Sequence, residues 1–552
     1  MSETEPCSRR LLLVYPKFPG GHLVGYEYMV PMYPMRRAVM PPLGLLTFAG
    51  CLPPDWHVRL VDENVRPLTE HDIRWADVVL LSGMHPQRHR LEELIDWANR
   101  LGKLTVLGGP SVSICPEYYP QADILHVGEL GDATDQLIER LTAGVEKPTR
   151  QIVLATEEKT PLDEQPLPAI GLVDVRRYIV MPVQFSVGCP YQCDFCDIPI
   201  IYGRHPRVKS PERLLREFDA LYQSGFLGAL VFVDDNLMAN RRAFGAMLPK
   251  LIEWQRERNY PFPLTGEVSV DLAPQADILR QMRDARFTHL FFGVETVEQD
   301  VLCSINKRHN ARLPMADALQ TVQSHGIEIL MGIIFGFDGE DQATGRRIVR
   351  LIEETRATLI YFNLLAALPK TPLWTRMERA GRLVAATGGD TTRADELLTC
   401  SATNLVYDRP NEQVVRMLRD VIREVYSPEA VYRRITWNAA HVYGKQQRGI
   451  PPTATWGQRA YVARFTLGTI ARVLWRMGVR SPDRRHFWRF AWDLLRLRRT
   501  GRIGSALEIL LRDAPHAHHL IQWGRHALAV ERRPKPALSP PPPPAILGRP
   551  AL

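Results

Sequence analysis

Along the first 145 residues, short unbroken apolar runs alternate with stretches of helical period. The runs are residues 11–15, 58–61, 78–82, 104–107 and 124–127, and 88–101 typifies the helical stretches between them. A strand that is apolar at every position, without polar alternation, suits a sheet covered on both faces. The pattern predicts an α/β domain over residues 1–145 built on a doubly wound parallel sheet. Ligands of such sheets sit beyond the C-terminal strand ends. The loops there, 16–21, 82–85, 108–113 and 128–131, are rich in glycine, which allows the backbone to approach a large ligand closely.

Residues 146–180 carry several prolines and little periodicity, and read as a linker. A second alternating series follows, with strands at 183–186, 228–233, 264–270, 289–294, 328–334 and 358–364. Helical patterns such as 211–224 and 241–256 separate most of them. This predicts a full or partial βα barrel over 181–395, with its active site at the C-terminal strand ends. Beyond 396 the strand signals fade. Periodic stretches such as 413–425 and 487–497 predict a helical module over 396–531. The tail, 532–552, contains a run of five prolines and cannot bury a core, so it is expected to be disordered or polyproline-like.

Charge sharpens this division. Residues 401–552 carry 26 Lys and Arg against 10 Asp and Glu, a balance of +16, whereas residues 1–400 carry a balance of −8. A basic module joined to an acidic body points to an anionic partner, either nucleic acid or a lipid surface. Between positions 472 and 502 stand ten arginines, with Trp475, Trp488 and Trp492 among them. Arginine beside tryptophan at helical spacing suits an interfacial helix on anionic lipid, and equally suits RNA phosphates or a solvated face over buried tryptophans. The least polar stretch, 461–479, is interrupted by Arg464, Arg472 and Arg476, so no membrane span is expected. The first ten residues lack the apolar core of a secretion signal. Eight cysteines in 552 residues do not make a disulfide framework, and the expected location is the reducing cytoplasm.

Three of those cysteines, Cys189, Cys193 and Cys196, follow the first barrel strand with Cys-x3-Cys-x2-Cys spacing. Three thiolates on one tight loop can hold three irons of a [4Fe–4S] cluster and leave the fourth open for substrate. The alternative is a structural zinc site, which normally takes four ligands, with distant Cys303 or Cys400 as the fourth. The loop, with Phe195 before its last cysteine and a barrel downstream, resembles that of the radical S-adenosylmethionine (SAM) enzymes over about residues 180–375. The resemblance implies that the open iron binds the amino and carboxylate groups of SAM. An electron from the cluster then cleaves SAM to methionine and a 5′-deoxyadenosyl radical. It places Phe195 near the adenine, and Asp234, Asp235 and Asn236 near the methionine amino group. It puts Glu267 on the third strand and Glu295 toward the ribose. Gly332 and Gly336 resemble the glycine-containing adenine motif. Any one of these acids could instead cap a helix, and their order on successive strands carries the argument.

A doubly wound domain ahead of such a barrel resembles the cobalamin-binding domain of many SAM-radical enzymes. Ser82-Gly83-Met84 resembles that family's Ser-x-Leu, and Gly108-Gly109 resembles its Gly-Gly loop. The Asp-x-His-x-x-Gly motif that supplies an axial histidine is absent, the corresponding loop running from Pro16 to His22. The implied cofactor is base-off cobalamin without that ligand. His85 reads as a polar loop histidine. Methylthiotransferases compete with this reading, since their N-terminal domain holds a second cluster on three cysteines. Cys7, Cys51 and Cys115 could be imagined in that role, but Cys7 precedes the first strand.

Residues 108–141, the cluster loop, VDDN, ALPKTPLW and the helical extension together resemble the bacterial hopanoid C-2 methylases, nearly throughout the chain except its proline-rich tail. The resemblance implies a cobalamin-dependent radical SAM methylase acting on carbon 2 of the hopanoid A-ring. The radical would abstract hydrogen, and methylcobalamin would supply the methyl. An unactivated sp3 carbon offers no electron pair to attack SAM directly, so a radical route is required. The implied partners are a hydrophobic polycyclic lipid substrate, a reductant such as flavodoxin or ferredoxin, and the inner face of an anionic membrane, touched peripherally. Two other classes stay open. One is a radical SAM enzyme modifying RNA, against which stands the absence of a small β-barrel RNA module. The other is a non-catalytic cobalamin sensor, against which stands the intact cysteine triad.

Overall fold

The computed structural model describes residues 8–20, 26–384, 403–446 and 456–529. The proline-rich tail, Cys7, Cys400 and His22 lie outside the described residues. The N-terminal strands are β1 (Arg10–Tyr15), β2 (His57–Asp62), β3 (Val78–Ser82), β4 (Leu104–Gly108), β5 (Ile124–Val127) and β6 (Ile152–Ala155). They form a parallel sheet in the order β2-β1-β3-β4-β5-β6. Alternate residues feed two cores. Leu12, Val14, Val79, Leu81 and Leu107 bury one face. Leu11, Leu13, Val78, Leu80 and Val106 bury the other. This is the doubly wound sheet that the apolar runs predict, with its switch point between β1 and β3.

The stretch read as a linker departs from that reading, because it supplies β6, whose four residues pair in parallel with β5. Its residues alternate between half-buried and exposed, as an edge strand does. So short and one-sided a run leaves little periodicity in the sequence.

The second sheet contains β7 (Val180–Val183). A short antiparallel ribbon of β8 (Ser186–Val187) and β9 (Arg207–Val208) follows it. The sheet continues with β10 (Ala229–Phe232), β11 (Leu264–Val268), β12 (Phe287–Glu295), β13 (Glu328–Phe335) and β14 (Leu359–Leu364). The order is β14-β13-β12-β11-β10-β7, all parallel, with the two edge strands unpaired to each other: a partial barrel. Its first strand ends three residues earlier than the sequence pattern suggests, and the chain leaves the sheet for the ribbon. Several of its helices begin with Ser or Thr followed by Pro, as at Pro211–Gln223 and Pro372–Arg379. The hydroxyls of Ser210 and Thr371 accept from Arg213 N and Trp374 N. Such caps satisfy orphan donors where proline has none to lose.

The helical module contains Asn411–Val425, Pro428–His441, Trp456–Val473, Arg484–Arg499 and Ala506–Ala529. It shares one continuous core with the barrel. At the barrel edge, Tyr426 Oη accepts from Ile360 N at 3.2 Å and donates to Ile360 O, satisfying part of β14 that would otherwise stand unpaired. Among the described residues, no helix is long and apolar enough to cross a membrane.

Candidate active site

The cysteine loop hangs between β8 and the helix Ile198–Ile201 and is held from several sides. Asp234 is buried at the end of β10 and takes three donors: Phe185 N at 3.0 Å, Ser186 Oγ at 2.6 Å and Ser186 N. These contacts pull the chain out of the sheet after β7. Asp235 accepts from Gly188 N at 2.9 Å. Within the loop, Tyr191 stacks on His309 with ring centroids 3.8 Å apart and donates to Asp271 at 2.8 Å. Burial, with Lys307 and Arg312 nearby, drops His309 to about 3, so the stacked imidazole is neutral. Asp194 accepts from Asn306 Nδ2 and Arg376 Nη1, both at 2.5 Å, while its backbone carbonyl accepts from Leu373 N. Phe195 packs edge-on against Phe337 at 5.9 Å.

The three cysteines are half-buried free thiols. Burial pushes Cys189 up to about 11 and raises Cys193 and Cys196 as well, so iron would have to displace protons on binding. Among the described residues, no three His, Cys, Asp or Glu side chains gather as a single metal ion would need. A cluster asks for something different, one thiolate on each of three irons.

The other strand-end residues divide by what they touch. Burial pushes Asp234 up to about 7 against its three donors. Those donors make it a clamp on the cysteine loop. Replacing Asp234 with alanine should strand two backbone N–H groups, each costing about 1–3 kcal/mol when left unsatisfied. The expected outcome is a lower unfolding midpoint and iron that leaks on gel filtration. Asn236 is likewise engaged within the protein, donating to Ser269 Oγ at 2.6 Å and accepting from Met238 N. Gly332 makes room for Phe291, since a Cβ there would lie 2.9 Å from its ring. Gly336 has φ +105° and lies under Tyr407, 2.6 Å from where a Cβ would stand. Glu295, at φ +66°, pairs with buried Lys307 at 2.5 Å. Burial would lower Lys307, yet Glu295 and the neighbouring cysteines hold it up. Its Nζ lies 5.8 Å from the Phe195 ring centroid.

Asp235 and Glu267 face a cavity of about 1080 Å³ inside the barrel. Glu267 is open to this cavity but surrounded by protein at a distance. Burial, then Asp235 and Glu295, push it up to about 7. Its carboxylate has no hydrogen-bond partner among the described residues. The walls are largely apolar, with Phe232, Phe291, Leu330 and Tyr361 from the strands and Met29 from the segment before the barrel. Residues 503–523 of the helical module complete them.

In the N-terminal domain, Ser82 and Gly108 stand side by side at the ends of β3 and β4. Gly109 has φ +96°, and a Cβ there would lie 2.4 Å from Ser82 Oγ. At Gly108 the nearest atoms to a Cβ are those of His126, at 3.8 Å. A Cβ on Gly83 would meet Leu91 at 3.1 Å, and Met84 is exposed. His85 bonds to Ser111 Oγ at 3.1 Å. Cys51 donates to Thr47 O within its helix, and Cys115 is buried. The helix Pro110–Ile114, which begins at the Gly108-Gly109 loop, packs on Ile198–Ile201, which begins just after Cys196. Glu129 adds a bridge to Arg207 of β9 at 2.6 Å. The two glycine-rich and cysteine-rich loops are therefore neighbours.

Residues 183–352 match the radical SAM superfamily, and residues 371–531 match a domain of unknown function, DUF4070. The chain is 40% identical to the hopanoid C-2 methylase of Rhodopseudomonas palustris, over 95% of each chain. The chain belongs to the cobalamin-dependent radical SAM methylases, in the branch of the hopanoid C-2 methylases. The enzyme is also 27% identical to the hopanoid C-3 methylase of Methylococcus capsulatus, over 55% of this chain and 62% of that protein. In fold it is similar to OxsB, a cobalamin-dependent SAM radical enzyme, with TM-score 0.59 and 15% identity over 95% of this chain and 81% of the other. It is similar also to the methyltransferase TsrM of Kitasatospora setae, with TM-score 0.51 and 16% identity over 69% and 76%.

This radical SAM methyltransferase uses a [4Fe–4S] cluster, SAM and cobalamin. Its residues fit all three groups. A triad of thiols lies on one clamped loop, unpartnered Glu267 stands in the cavity, and Gly108 leaves space at the end of β4 that a side chain would fill. Sequence reasoning missed Asp194, Tyr191 and Lys307, whose partners lie some 12 to 182 residues away. Tyr191 and Asp194 were marked only by lying between the ligating cysteines, and Lys307, far along the chain, had no such mark.

Proposed function

We propose that the enzyme methylates carbon 2 of the hopanoid A-ring. The observation that carries this reading is the likeness, along almost the whole chain, to a hopanoid C-2 methylase. The large, mostly apolar cavity supports it, because a rigid polycyclic hydrocarbon needs such walls. When bound, the three groups supply a radical that removes hydrogen from the substrate carbon and the methyl that replaces it. Cys189, Cys193 and Cys196 would hold the cluster, with Phe195 and Lys307 at the same loop. Asp235 and Glu267, which line the cavity, would hold the amino group of SAM, and the walls would orient the ring and exclude water. Ser82 to Met84, with Gly108 and Gly109, receive the cobalamin. A reductant is required, and a flavodoxin or ferredoxin fits the need. Deleting the gene in its host should abolish 2-methylated hopanoids and spare the unmethylated ones, as lipid profiling by mass spectrometry would show. Unchanged 2-methylhopanoids would refute the reading.

The helical module also supports peripheral contact with membrane. Trp488, Trp492 and Leu495 form an exposed stripe on Arg484–Arg499, opposite buried Phe487, Phe490 and Leu494. Trp475 and Val479 are exposed nearby, among arginines. Each basic residue near an anionic surface contributes about 1 kcal/mol, falling off within a Debye length. Binding to anionic liposomes should weaken with salt, and weaken further when Arg484, Arg485, Arg498 and Arg499 become Gln. Salt-independent binding would count against this docking, as would tight RNA binding with none to liposomes.

A further inference from the structure

Resting on the hopanoid reading, one end of the cavity calls for a ligand that the ring system does not supply. Phe232 and Leu290 stand level across Gly266. Asp235 lies beyond that level on the side of the cysteine loop. Arg286 lies four residues below it, about 13 Å at ~3.3 Å per residue. Around Arg286 the wall changes character. Arg286, Gln446, Glu508, Arg512, Asp513 and His516 line the cavity there. Arg286 Nε and His516 Nε2 are buried without a hydrogen-bond partner among the described residues. Gln446 uses its Nε2 on Thr288 O at 3.1 Å. Glu508 is an exposed residue of the same wall, and its carboxylate accepts no hydrogen bond from the described residues. Unsatisfied buried polar atoms are costly, and those lining a cavity are satisfied by what fills it.

The charges at this pole decide what that ligand is. Arg512 is already paired with Asp513 at 2.7 Å, and the negative charge of Glu508 on the same wall offsets that of Arg286. His289, also on this wall, is already paired at 2.9 Å with Glu328 behind it. No net positive charge is left over for a phosphate or carboxylate. What is left is a mixture of donors and acceptors, which matches hydroxyl groups, since each hydroxyl offers both. We propose that this pole is a subsite for a hydroxyl-bearing chain at the end of the substrate remote from the methylated ring. It would fix which end of the polycycle enters toward Asp235 and Glu267. His516, Gln446 and Glu508 are then specificity-determining residues.

The test uses the reconstituted full-length enzyme and two pentacyclic hopanes, one a hydrocarbon and one with a polyhydroxylated side chain. Equilibrium Kd is measured without turnover, and kcat/KM with it. The hydroxylated compound should bind about tenfold or more tightly, the factor that ~1.4 kcal/mol represents. In His516→Leu and, separately, Gln446→Leu, that ratio should fall toward one, with KM moved more than kcat. Iron and cobalamin contents matching wild type would establish that each variant is folded. Equal Kd values in the wild type, or a preference that survives both variants, would overturn the subsite. A retained Kd preference without methylation of either compound would uphold the subsite and reject the C-2 methylation on which it rests.

Discussion

Alanine at Cys189, Cys193 and Cys196 together is expected to remove all protein-bound iron and all SAM cleavage. Anaerobically reconstituted wild type should hold about four irons per chain, the stoichiometry of one [4Fe–4S] cluster. The structure makes this a clean experiment, because the loop is not held in place by its cysteines. Asp234, Asp235, Asp194 and the Tyr191–His309 stack fix it through other residues. The triple variant should therefore fold, and its circular dichroism should match that of iron-free wild type. Cys303 is exposed and serves as a control whose replacement should leave the iron in place. About eight irons in wild type, with a cluster persisting in the triple variant, would instead speak for a second cluster held by other cysteines, as in methylthiotransferases.

How far this site could be read from sequence depends on how local each part is. The strands of both sheets announce themselves because Leu11 to Val14 and their counterparts are buried on both faces. The four-residue edge strand Ile152–Ala155 carries no such signal, being covered on one side only. The end of β7 is set by the carboxylate of Asp234, some 50 residues downstream, rather than by local apolarity. The cysteine triad is legible because its ligands share one loop. The neighbours that clamp that loop are not, since Arg376 reaches Asp194 from 182 residues away. Asp234 and Asn236 occupy positions where the family resemblance implies SAM contact, yet the fold spends both on backbone and side chains of the protein. The cavity is the least legible part. Its walls come from the barrel strands, from Tyr26 to Tyr33 and from residues 443–446 and 503–523, and no one segment betrays the hollow.

Gly108→Leu is expected to abolish cobalamin binding and methyl transfer while leaving the cluster in place. The paired glycines at the end of β4 do different things. Gly109 must be glycine for the fold itself, with φ +96° and Ser82 Oγ 2.4 Å from where a Cβ would stand. Substitution there would strain the turn and blur the result. Gly108 has no such requirement, since a Cβ would meet nothing nearer than His126 at 3.8 Å. A leucine at Gly108 therefore fits the apo domain and occupies space at the C-terminal end of the sheet, where ligands of doubly wound folds bind. Purified Gly108→Leu should carry less than about a tenth of the wild-type cobalamin by absorbance, with about four irons retained. It should still cleave SAM to 5′-deoxyadenosine, because the cysteine loop is clamped by the barrel's own residues. Methylated product should be undetectable. Full cobalamin occupancy in this variant would place the cofactor away from the β4 loop. Iron lost in parallel with cobalamin would instead mean that Gly108 matters through the packing of Pro110–Ile114 on Ile198–Ile201, the contact by which the two loops lie side by side.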